Sequence, residues 1–112
     1  MSISPGVESE FTGIYVEHWE ASRLVVEVGR KVWGLLLRRE RWLAQFPPVF
    51  ELPRQGEQTQ SPRQRPARFF RMRVVGTPSE RGSFGHIGTC CRLLEVRRVL
   101  EVAEVADPGI PW

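Results

Sequence analysis

The residues of this 112-residue chain whose types could do chemistry are two histidines, two adjacent cysteines and a few carboxylates. His86 stands between Gly85 and Ile87, with Cys90 and Cys91 shortly after it; His18 stands between Glu17 and Trp19, with Glu20 beyond. A zinc site takes three or four Cys, His or carboxylate ligands and usually shows a paired spacing such as C-x-x-C. The best set here, His86, Cys90, Cys91 and His18, has no such spacing, so neither a metal nor any other cofactor is expected. Neighbouring cysteines in a strand point to opposite faces and would close a strained ring, so two reduced thiols are expected. Glu17 and Glu20 are three apart, which in a strand puts them on opposite faces and disfavours paired acid–base work. Ser79 and Ser83 lack the strand-to-helix elbow of a nucleophilic serine. Gly82, Gly85 and Gly88 are followed by no Gly-Lys-Ser/Thr ending, so a phosphate-binding loop is excluded too. An enzyme is therefore the least supported class. His86 reads instead as a hydrogen-bonding pin for a specified loop made of Gly82, Phe84, Gly85, His86 and Gly88, whose glycines supply positive φ or close approach.

The stronger chemical signal is arginine. Fifteen of the 16 basic residues are arginine, and six of these fall between Arg54 and Arg73 against the single acid Glu57. Arginine makes planar, bidentate contacts with carboxylate or phosphate and stacks on rings, so this stretch allows an anionic partner. The competing reading is a solvated basic loop followed by the outward face of a strand. Aromatic residues make up 10% of the chain. Tyr15, Trp19, Trp33 and Phe69 beside Arg68, Arg71 and Arg73 would form a stacking and ion-pairing surface if they shared one sheet face. If they do not, the same rings fill a small core.

The elements that must position these residues are strands. The fold begins near Phe11 with an aromatic and β-branched run to Trp19, after a loose arm of residues 1–10. Leu24, Val26 and Val28 then share one strand face, and Gly29-Arg30 reads as a turn into a third strand, Lys31 to Leu37. Residues 32–46 also match helical spacing. Gly34 and the charged cluster Arg38-Arg39-Glu40-Arg41, which resembles a hairpin connection, favour strand, turn, strand over that helix. Pro47-Pro48 stops the element. Residues 53–66 are Gln, Arg, Pro, Ser and Gly with no large apolar residue, which reads as a mobile loop. Phe70, Met72 and Val74 alternate with Phe69, Arg71, Arg73 and Val75, a half-buried strand with a cationic outer face. In the last strand Leu94, Val96, Leu100 and Val102 are expected on one face, and Asp107-Pro-Gly109 ends it, leaving a tail of residues 107–112.

One core is all that 112 residues support, so residues 11–106 form a single β domain. No apolar run approaches the roughly 20 residues of a bilayer span, and the first ten residues show no leader or lipobox, so a cytoplasmic location is expected. Five or six short strands with little helix cannot leave their edges open, which predicts an all-β fold: a small OB-like barrel or a curled antiparallel sheet.

The segments Gly13-Ile-Tyr15, Trp19-Glu20-Ala-Ser22, Phe70-Arg-Met-Arg-Val-Val-Gly76 and Gly82-Ser-Phe84-Gly85-His86-Ile-Gly88 together resemble a group of small bacterial proteins, many of them lipoproteins of unknown function. The resemblance spans residues 11–102, and its specific part is the glycine–histidine loop. It implies an OB-like barrel and no activity. The missing lipobox and the 53–66 insertion depart from the group, so membrane anchoring does not carry over. The functional expectation is a non-enzymatic binding module. Its partner is a protein or an anionic ligand, with sequence-tolerant single-stranded nucleic-acid binding as the alternative and homo-oligomers compatible with either.

Overall fold

Period-two burial runs through the chain, and each alternating stretch becomes a strand. The computed structural model describes residues 3–18, 21–32, 35–53, 66–85 and 88–112, without the side chains of 29–32 and 35–37. It contains β1 (Ser9–Glu17), β2 (Arg23–Val32), β3 (Leu35–Gln45), β4 (Arg68–Pro78) and β5 (Arg92–Val105). None of these elements is a helix, and no helix among the described residues is long and apolar enough to cross a membrane.

The five strands form one sheet that closes in the order β1-β2-β3-β5-β4, with β4 returning to pair with β1. Four of the pairings are antiparallel; β3 and β5 pair in parallel from Trp42↔Arg92 to Gln45↔Glu95. The closure leaves a five-stranded barrel of the OB-like kind.

The region that admitted a helix resolves into the end of β2 and all of β3. Gly29-Arg30 does not turn the chain: β2 runs on to Val32 with an irregularity in pairing between Val28 and Lys31. Nor is Arg38-Arg39-Glu40-Arg41 a connection, because all four pair with β2 inside β3. A strand carries such a run when alternate charges project outward, and Arg39 and Arg41 do so while Trp42 fills the interior.

The interior holds Phe11, Leu24, Val26, Val28, Trp42, Phe70, Met72, Val74, Leu94 and Val96. Trp42 is fully buried and meets Phe11 edge-to-face at 5.0 Å between ring centroids. Removing so large a ring from a packed core costs about 3–5 kcal/mol. Gly76 lets β4 and β5 cross closely: a Cβ there would lie 2.6 Å from the Glu95 carbonyl oxygen.

β5 departs from strict alternation. Pairing steps from Val96 to Arg98 and from Val99 to Glu101 while β4 advances one residue each time, so Arg97 and Leu100 are bulge residues. The inward series becomes Leu94, Val96, Val99 and Val102, and Leu100 turns out, 40% exposed. Its expected place on the buried face is corrected for that reason. The bulges bend β5 around the barrel.

Outside the ring lies a second apolar cluster of Val16, Val25 and Phe69, against which Ile110 and Trp112 pack. Trp112 approaches Phe69 at 5.9 Å and His18 at 5.5 Å between centroids. Residues 107–112, read from sequence as a tail, thus lie on the barrel wall.

Candidate binding site

The sequence-selected residues do not assemble on one face. Tyr15 points inward, stacking edge-to-face on Phe46 at 5.0 Å, and burial raises its phenol pKa despite the Ser22 hydrogen bond that lowers it. Phe69 faces outward but is buried under Trp112. Arg68 is held within the fold: its Nε and Nη2 donate to the two Glu104 oxygens at 3.1 and 3.0 Å, and Nη2 also donates to the Pro53 carbonyl at 2.7 Å. Its guanidinium also sits 4.8 Å from the Phe70 ring centroid. Arg73 reaches Glu10 at 2.7 Å and Glu101 at 2.8 Å. Arg71 is exposed and has no ion-pair partner among the described residues. Trp19, Trp33 and His86 lie outside the described residues.

The glycine loop joins β4 to β5 and is held by backbone pairing. Phe84 and Cys90 exchange hydrogen bonds of 2.9 and 3.0 Å, and the Gly82 N–H donates to the Cys91 carbonyl. Gly85 and Gly88 adopt φ of +76° and +68°. A Cβ on Gly82 would press on the Phe84 ring at 3.0 Å, so its need is space.

One buried carboxylate ties this loop to the barrel. Glu40 accepts from Trp42 Nε1 at 3.1 Å and pairs with Arg38 at 2.9 Å and Arg81 at 3.1 Å, while Arg92 Nε lies 3.9 Å away. Burial pushes its pKa up, but the Trp42 and Arg81 hydrogen bonds and the charges of Arg81 and Arg38 outweigh that and hold the carboxyl below its ordinary range. Arg92, itself buried, donates to the Ser79 carbonyl at 2.7 Å. Arg81, Glu40 and Arg92 therefore clamp the start and end of the loop to β3.

Cys90 and Cys91 are free thiols, Cys90 buried. Burial raises both pKa values, so neither is a ready nucleophile. No group of three or more His, Cys, Asp or Glu able to hold a metal occurs among the described residues.

A surface with unneutralised charge that borders a cavity lies on the outer face of β2 and β3, beside the glycine loop. A shallow cavity of about 500 Å³ opens there, lined by Val25, Arg39, Glu40, Arg41, Thr89, Cys91 and Pro111. Arg39 and Arg41 project from β3 about 7 Å apart along the strand, as alternate residues do. Arg23 joins them from β2: it and Arg41 both act electrostatically on the Cys90 thiol, and its buried Nε has no hydrogen-bond partner. Glu27 is the cross-strand neighbour of Arg39, yet no ion pair forms between them. None of Arg23, Arg39 and Arg41 was singled out from sequence. The available signal was the i, i+2 spacing of arginines around Glu40, which a turn reading conceals.

No protein-family model matches this chain, and no curated protein and no solved structure matches it.

Proposed function

We propose that this protein is a non-enzymatic binding module that takes an anionic chain on the outer face of β2 and β3, between the glycine loop and the C-terminal segment. The observation that carries the reading is the pair Arg39 and Arg41, two guanidinium groups that line a groove and have no ion-pair partner among the described residues, with Arg23 two residues before the groove-lining Val25 on the same strand and its buried Nε without a hydrogen-bond partner. Guanidinium groups so placed suit phosphate, sulfate or carboxylate groups carried at intervals on a polymer. The contribution expected of Arg68 and Arg73 passes to these residues, because internal carboxylates already occupy that pair.

Single-stranded nucleic acid is the narrower second reading. The strand order favours it, since barrels of this order bind oligonucleotides across strands 2 and 3 and the loop between strands 4 and 5. The test is a tryptophan-fluorescence titration at low and moderate salt with a mixed-sequence single-stranded oligonucleotide, heparin and poly-glutamate. Saturable binding of any of them that weakens on Arg39→Ala with Arg41→Ala supports the general reading, and preference for the oligonucleotide selects the narrower one. Binding unaffected by the double substitution refutes both.

A further inference from the structure

A second surface lies along the far half of β5. β5 pairs with β4 from Leu94 to Val105, but with β3 only from Arg92 to Glu95. The parallel ladder stops where the chain enters Pro47-Pro48, which cannot donate backbone hydrogen bonds. Residues 47–50 instead form a turn, the Phe50 N–H donating to the Pro47 carbonyl at 2.9 Å, which lies across from residues 97–100. Between them opens a groove of about 430 Å³. Val49 is 91% exposed and Leu100 40%, and both line this groove with Phe50. Arg97 and Arg98 supply its charge; no carboxylate lines it, and neither arginine has an ion-pair partner among the described residues.

We propose that this groove docks an extended acidic–apolar segment of a protein partner. Three features fix that chemistry. The β5 edge beyond Glu95 presents backbone donors and acceptors, which an extended peptide satisfies by strand addition. Val49, Phe50 and Leu100 accept apolar side chains, whereas a polyphosphate chain has none to offer. Arg97 and Arg98 complement acidic residues at the rim. The bulges at Arg97 and Leu100 break the edge into a short, shaped segment, which opposes indiscriminate sheet extension.

Fluorescence anisotropy with a labelled peptide of alternating Glu and Leu tests this on the full chain. Saturable binding is expected, weaker by about ten-fold on Arg97→Ala with Arg98→Ala and on Val49→Ser with Leu100→Ser, circular dichroism confirming that each variant folds. N-methylation of alternate peptide nitrogens should abolish binding in one phase of the alternation and spare the other. Measured in the Arg39→Ala, Arg41→Ala background, where the anion site is removed, the peptide should still bind and still lose about ten-fold affinity on the groove substitutions, so failure here and failure of the anion-binding reading are separable. No saturable binding, equal binding of a Glu/Ser peptide, or a dimer in sedimentation that Leu100→Ser dissolves would each overturn the proposal.

Discussion

On the outer face of β4, Arg73 lies between Glu10 of β1 and Glu101 of β5 and pairs with both. On the outer face of β3, Arg39 and Arg41 are flanked by Glu27 and Val25 of β2 and pair with neither. The residue type and the strand context are the same; the neighbours brought by the adjoining strands differ. An arginine-rich stretch therefore does not locate a binding surface by itself. What matters is how many carboxylates the sheet register delivers to it, and that is decided by residues as far away in sequence as Glu10 and Glu101.

The comparison has a third member in the Glu40 centre, where the acid is buried and several arginines converge on it. Glu40→Ala would leave buried Arg92 without its nearest carboxylate and release the glycine loop. We expect a loss of about 3 kcal/mol by urea denaturation, lower than for a fully enclosed pair because Arg38 and Arg81 are solvent-exposed. The pH dependence follows from the same centre. A carboxyl held below its ordinary value of 4.5 stabilises the fold fully above that value, and the stabilisation fades as pH falls through the lowered pKa. Acid unfolding should therefore set in below about pH 4.5, and Glu40→Gln should flatten that limb; an unchanged limb would assign it elsewhere.

Next in size, Arg39→Ala with Arg41→Ala should weaken polyanion binding by about ten- to a hundred-fold at low salt and reduce the slope of log K against log salt by about 1.4 for a single strand. Thermal stability should barely change, since both side chains are exposed. Equal weakening by Arg73→Ala would erase the distinction between the faces.

Trp112→Ala addresses the wall between them. Uncovering Phe69, Val16 and Val25 should cost about 1–2 kcal/mol and increase binding of an apolar dye. No change in either would mean that the C-terminal segment contributes nothing to the wall. The smallest expected effect sharpens the contrast directly: Glu10→Gln with Glu101→Gln frees Arg73 and should raise polyanion affinity a few-fold, read in the same titration.

Much of the strand pattern was legible in sequence because burial imposes period two wherever one face meets the core. Phe70, Met72 and Val74 show this, and so do Leu24, Val26 and Val28. The pattern misled where a bulge shifted its phase. Leu100 looked internal by counting in twos from Leu94, yet the bulges at Arg97 and Leu100 exchange it for Val99. The charged run at 38–41 resembled a turn because four consecutive polar residues seldom continue a buried strand. Here Glu40, on the inner side, is compensated by Arg38 and Trp42 of its own strand and by Arg81 and Arg92, two residues from elsewhere in the chain. The candidate face suffered most. Tyr15, Arg68 and Arg73 were chosen by type, but orientation and ion-pairing partners are set across strands.

What the sequence by itself determined is the class of the fold and the reserve of arginine: alternating apolar residues, frequent glycine and proline breaks, and one core's worth of chain permit little besides a small β-structure. Only the tertiary structure decided which arginines remain available. Closing the ring puts β1 and β5 on either side of β4, so Glu10 and Glu101 neutralise Arg73 while Arg71, set opposite Ile14 and Ala103, has no ion-pair partner among the described residues; β3 meets β2 along one side and β5 for only four residues on the other. Charge pairing is a property of register across strands, and no local stretch of sequence contains that information.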